Sequence, residues 1–114
     1  MGSDLADKKC VPCRGGVPPL NRAEIRPLLE RIEGWTVEGD KKLTKSYKFK
    51  DFMGPMRFAN GIAKVAEEEG HHPDLSIAWG KLGVELWTHK IDGLTESDFI
   101  MAAKIDRVFE GLSA

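Results

Sequence analysis

The apolar residues of this chain repeat with two periods that alternate along it, and this alternation limits the fold more than any other feature. Ile25, Leu28, Leu29 and Ile32 recur at helical spacing. They follow Leu20-Asn21-Arg22-Ala23-Glu24-Ile25, where Asn21 and Glu24 make a capping box and Leu20 and Ile25 a hydrophobic staple, so a helix begins there and Gly34 supplies its stop. Pro27 removes a backbone hydrogen bond inside it and predicts a kink or a delayed start. The period then drops to two: residues 35–38 and 41–49 alternate around Gly39-Asp40, as a hairpin does. Phe58, Ile62, Val65 and Ala66 restore the helical stripe over about residues 52 to 69, with Pro55 near the first turn and Gly70 at the C-terminal cap. Leu75, Ile77 and Trp79, a turn at Gly80-Lys81, then Leu82, Val84 and Leu86 form a second hairpin. A second staple, with a Thr95 to Asp98 box, opens a last helix carrying Ala102, Ile105, Phe109 and Leu112 on one face. The order α-β-β-α-β-β-α predicts a two-layer α+β domain, a four-stranded antiparallel sheet with three helices packed on one face.

With 114 residues the chain suits one domain, small enough that association often adds stability. Residues 1–19 read as a loop-like N-terminal extension and residues 20–114 as the domain. The net charge of −1 predicts no obligate polyanion partner and no direct nucleic-acid contact. Lys41, Lys42, Lys45, Lys48 and Lys50 interleave with Leu43, Tyr47 and Phe49, which reads as a strand with one solvated face. No apolar run approaches the roughly 18 to 20 residues of a membrane helix, and no secretory apolar core follows the N-terminus, so a soluble, cytoplasmic protein is expected. Cys10 and Cys13 form one Cys-x-x-Cys. It supplies at most half of a four-ligand zinc site and lacks the strand and helix that would activate a redox pair. Reduced thiols, a shared metal and a disulfide all remain open for it.

All three histidines, His71, His72 and His89, fall between Glu67 and Asp98. A side chain that titrates near neutrality, grouped beside carboxylates, marks the place for proton transfer. His71 follows a helix C-terminus whose dipole, with Glu67 one turn earlier, favours the imidazolium. Pro73 holds His72 extended. His89 has the parity of Glu85 and Trp87, so either its strand has ended or it lies on the other face. A zinc site from the three histidines is the rival reading, against which stand the adjacency of two of them and the lack of a standard metal spacing. No nucleophile elbow, P-loop or dinucleotide fingerprint is present. Trp35, Trp79 and Trp87 suit the core, with one of them available as a stacking surface for a planar heterocycle.

At these residues the chain resembles the pterin-4a-carbinolamine dehydratases. The resemblance runs from Glu67 through His71-His72-Pro73, an aromatic at Trp79, His89, and Asp98 within Gly93-Leu94-Thr95-Glu96-Ser97-Asp98. It extends to Gly34-Trp35, to Phe49-Lys50-Asp51-Phe52 and to Lys9-Cys10-Val11-Pro12-Cys13 with Gly15-Gly16, which is similar to an N-terminal extension of some members. It implies elimination of water from 4a-hydroxytetrahydropterin to give quinonoid dihydropterin, with neither metal nor organic cofactor. Carried over, His71, His72 and His89 correspond to the catalytic histidines, and Glu67, Trp35, Pro73 and Asp74 to substrate-binding positions. Where many members have an acidic residue before the histidine pair, this chain has Gly70. The resemblance also implies a homodimer or homotetramer. It brings in a second class of function, because relatives serve as a dimerisation cofactor for a transcription factor or in Rubisco assembly; the intact histidine pattern favours the enzyme.

Overall fold

The computed structural model describes residues 4–10 and 18–112. Its elements are α1 (Asp4–Asp7), α2 (Arg22–Leu29), β1 (Thr36–Glu38), β2 (Lys42–Lys48), α3 (Met53–Glu69), β3 (Asp74–Ala78), β4 (Lys81–Leu86), a one-turn 3-10 helix (His89–Ile91) and α4 (Glu96–Leu112). The strands form one antiparallel sheet in the order β1-β2-β4-β3. Leu43, Tyr47, Leu82, Val84 and Leu86 on one face of its central pair are buried with Phe58 and Ile62 of α3 and Phe99 and Ile105 of α4. The expected α+β architecture is present.

Local chemistry explains most boundaries. The Asn21 side chain accepts from the Glu24 amide at 2.9 Å while Glu24 accepts from the Asn21 amide at 2.8 Å, so α2 starts on its cap without delay. It ends at Leu29, well before Gly34. Pro27 has no N–H to give, and beyond it the bonds tighten to three-residue spacing, Arg31 to Leu28 and Ile32 to Leu29. Gly70, at φ +66°, closes α3 in the left-handed conformation that a side chain disfavours. Gly61 lets α3 approach α4 so closely that an added Cβ would lie 2.7 Å from Val108.

Three expectations change. Trp79, which suits the core by its alternation with Leu75 and Ile77, is instead exposed at the turn between β3 and β4. The extension is not all loop, because α1 is a helical turn whose Leu5 and Ala6 are buried. Lys45 is not on the solvated face either. It shares the parity of Leu43 and Tyr47 and reaches Asp106 of α4 at 2.8 Å, which makes it an inward-facing lysine with a carboxylate partner. Among the described residues, no helix is long and apolar enough to cross a membrane.

Candidate active site

The two histidines of the pair point to different carboxylates. His71 follows the Gly70 cap, and its Nε2 lies 2.7 Å from Asp98 Oδ1 across 27 residues of chain. Asp98 is fully buried. Its other oxygen accepts from the Thr88 hydroxyl at 2.8 Å and from the Thr95 amide at 2.9 Å, and the two threonine hydroxyls lie 3.1 Å apart. A buried carboxylate with three hydrogen-bond partners is satisfied and fixed in orientation. The Thr95 to Asp98 box is therefore half formed: Asp98 reaches back to cap α4 and also takes the histidine.

His72 does something else. Its Nε2 meets Glu67 Oε2 at 2.7 Å on the surface, with side chains 59% and 79% exposed. Glu67 thus serves His72 rather than His71, because Asp98 occupies the place beside His71. Pro73 is half-buried and Asp74 opens β3, exposed, opposite Glu85. Carrying that pairing outward sets His72 across from Trp87 and His71 across from Thr88, and the Asp98 carboxylate shared by His71 and Thr88 agrees with the second of these.

β4 ends at Leu86, and a Thr88 to Gly93 bridge closes the short 3-10 turn that carries His89. Strand parity thus places no constraint on His89. Its exposed ring packs against Trp87, centroids 4.3 Å apart, and makes no hydrogen bond among the described residues. Lys42 lies 4.5 Å from the Trp87 ring centroid and pairs with Glu85 at 3.4 Å. Trp87, one of three tryptophans open to a stacking role from sequence, is the one beside a histidine.

Trp35 stands apart. It is buried, and its indole N–H donates to Asp106 at 2.9 Å in a cluster with Lys45 and Tyr47. Asp106 lies eight residues along α4 from Asp98, about 12 Å at helical rise. A cleft of about 450 Å³ opens on this side, lined by Glu30, Arg31, Glu33, Lys45 and Arg107 among others, and it includes no histidine. Among the described residues no group of three or more His, Cys, Asp or Glu is arranged to hold a metal ion. Cys13 lies outside the described residues. Burial, reinforced by Glu69, pushes the Cys10 thiol up to about 12, so it is protonated at neutral pH.

Chemically, the site presents a carboxylate-anchored imidazole at His71 and a second imidazole at His89, the residue after the Thr88 that shares the same carboxylate. With Nε2 of His71 on Asp98, the nitrogen left for a substrate is Nδ1, which has no partner among the described residues. Sequence reading located Asp98 as a cap and as part of a resemblance but did not give it to His71. Thr88 carried no sequence signal at all, since its use depends on a carboxylate ten residues away.

A model of the family described as Pterin 4 alpha carbinolamine dehydratase matches residues 18–108. A Rickettsia bellii protein named as a pterin-4-alpha-carbinolamine dehydratase is 63% identical over 103 residues, covering 90% of this chain and 91% of its own. One of the same name from Rubrobacter xylanophilus is 48% identical over 106 residues, covering 93% and 99%. Among solved structures, a transcriptional coactivator/pterin dehydratase from Brucella melitensis superposes with a TM-score of 0.74 at 36% identity, over 79% of this chain and 97% of its own. A pterin dehydratase-like protein identified as a RuBisCO assembly factor in the alpha-carboxysome shares the fold, with a TM-score of 0.59 at 22% identity over 68% of this chain and 90% of its own.

Proposed function

This chain belongs to the pterin-4-alpha-carbinolamine dehydratase family, and we propose that it eliminates water from 4a-hydroxytetrahydropterin by histidine acid–base catalysis. The single observation that carries the mechanism is His71 held through Nε2 by the buried Asp98, a carboxylate also bonded by Thr88, the residue before His89. In the reaction the C4a–oxygen bond breaks, the leaving hydroxyl takes a proton and departs as water, and N5 gives up its proton as the C4a–N5 double bond forms. One proton enters and one leaves, so two groups that can each hold a proton suffice.

His71 and His89 exchange these protons. Asp98 fixes the ring of His71 and leaves Nδ1 for the substrate, and the carboxylate steadies the imidazolium whenever Nδ1 carries the proton. His89 has both nitrogens available, and Trp87 limits where its ring can lie. His72, tied to Glu67 in solvent, binds and orients the pterin together with Pro73 and Asp74 at the mouth of β3. Trp35 contributes through the packing of α4 rather than by contact, since its one polar atom is committed to Asp106. The protein works in the cytoplasm as a homodimer or homotetramer, with its product passed to a reductase.

The test is formation of quinonoid dihydropterin from freshly generated 4a-hydroxytetrahydropterin, against a no-enzyme control because the carbinolamine also dehydrates unaided. Acceleration by the wild type that is lost in His71→Ala supports the reading; no acceleration by folded wild type overturns it. A second reading, a partner-binding protein, is favoured by one observation, the double description of the Brucella melitensis structure as coactivator and dehydratase. It would gain if the folded protein were inactive.

A further inference from the structure

Residues 4–10 lie outside residues 18–108 of the family match, yet Cys10 is bonded to Glu69, two residues before His71, and to Ser97, the residue before Asp98. Leu5 is fully buried and Ala6 nearly so, and α1 packs on α4. At the end of the segment the Cys10 amide donates to Glu69 Oε1 at 2.8 Å, and the Cys10 thiol approaches the Ser97 carbonyl at 3.6 Å. Glu69 is the last residue of α3, two before His71; Ser97 immediately precedes Asp98. Lys104 of α4 completes the arrangement, donating to the Ala6 carbonyl at 2.9 Å and pairing with Glu69 at 3.6 Å.

The end of α3 and the start of α4 need such a tie. The close helix approach at Gly61 and Val108 is eight residues back along α3 from Glu69, about 12 Å at helical rise. Without the segment, the polar links at the site end among the described residues would be the His71–Asp98 contact and the longer Glu69–Lys104 pair. The Cys10 amide, the largest influence, and Lys104 together hold the Glu69 carboxyl below the ordinary carboxylate value, so it stays an anionic acceptor at neutral pH.

We propose that residues 4–10 act as a strap that fixes α3 against α4 and thereby sets the geometry of the His71–Asp98 pair, with Cys10 and Glu69 as positioning residues. This role rests on the dehydratase reading only for its effect on turnover. The strap touches no substrate position. It acts by holding two side chains in register, and small displacements of a proton-transfer group are costly in rate.

The experiment uses the full chain with Glu69→Ala, Glu69→Gln and Lys8→Ala. Glutamine keeps an oxygen for the Cys10 amide, and Lys8 makes only an exposed pair with Glu96. Each variant is read twice: steady-state dehydration of 4a-hydroxytetrahydropterin, and imidazole nitrogen NMR of the ligand-free protein with His71 assigned. Glu69→Ala is expected to lose about 10-fold in kcat with KM within about twofold, and to shift the His71 ring-nitrogen signals away from their wild-type positions. Glu69→Gln restores most of both, and Lys8→Ala matches wild type. Wild-type kcat together with unchanged His71 signals in Glu69→Ala overturns the strap. If wild type itself fails to accelerate dehydration, the dehydratase reading falls, while the His71 signals still decide the strap. Should Glu69→Ala fail to fold, Lys104→Met, which removes the Ala6 and Glu69 contacts but keeps the aliphatic stem, is read in the same two ways.

Discussion

Two aspartates on α4, Asp98 and Asp106, are each held by three hydrogen-bond partners, yet one lies in the candidate site and the other in the scaffold. Asp98 takes a histidine, a threonine hydroxyl and a backbone amide. Asp106 takes the Trp35 indole, the Lys45 ammonium and the Tyr47 hydroxyl. The difference lies in the partners' protons. Indole, ammonium and phenol are groups that hold their protons near neutrality, whereas imidazole is the type that exchanges one, and the His71 ring keeps a second nitrogen without a partner among the described residues. Burial of a carboxylate therefore does not by itself signal function; what matters is whether its partner can pass a proton on.

Exchanging the roles of the two aspartates by mutation should separate rate from stability. The largest effect is expected at the first. His71→Ala, and Asp98→Asn which leaves shape nearly intact, should each lower turnover by about 10²-fold or more while circular dichroism and melting show a folded protein. Retained turnover in both would remove the distinction. Asp106→Ala should do the reverse. Stranding the Tyr47 hydroxyl and the Trp35 N–H costs about 2 to 4 kcal/mol in urea denaturation, with turnover per folded molecule unchanged.

The Asp106 cluster also has a pH signature. Burial, then Asp106, raises the folded Tyr47 hydroxyl above its ordinary 10.0. An acid whose folded value is raised leaves stability untouched below the unfolded value. Above pH 10.0 the unfolded chain ionises Tyr47 while the folded one does not, so stability declines. Denaturation midpoints across that range should fall less steeply for Tyr47→Phe than for wild type; parallel curves would show that Tyr47 is not held protonated. The smallest effect belongs to the Glu67–His72 pair, which is solvent-exposed. Glu67→Ala should change stability by less than about 1 kcal/mol and show itself mainly in KM.

The same contrast explains which parts of the molecule were legible in the sequence. The capping box at Asn21 and Glu24, the Gly70 stop and both hairpins rest on bonds between near neighbours, and all were readable. Lys45 misled because lysine suggests solvent, while strand parity placed it with Leu43 and Tyr47 over Asp106. Trp35 sat beside a glycine in a recognisable motif, but its indole is bonded to a residue 71 positions away. Glu67 was a plausible partner for His71 at one helical turn, yet five residues separate it from the histidine it meets.

By itself, then, the sequence determined the order of elements, the helix starts and the region that holds all three histidines, because hydrophobic period and caps act over one or two turns of chain. Only the tertiary structure decided which carboxylate each histidine receives. The His71–Asp98 bond spans 27 residues, and it exists because α3 and α4 pack with the end of one beside the start of the other. No local preference specifies that juxtaposition; it follows from burying both helices on one face of the sheet.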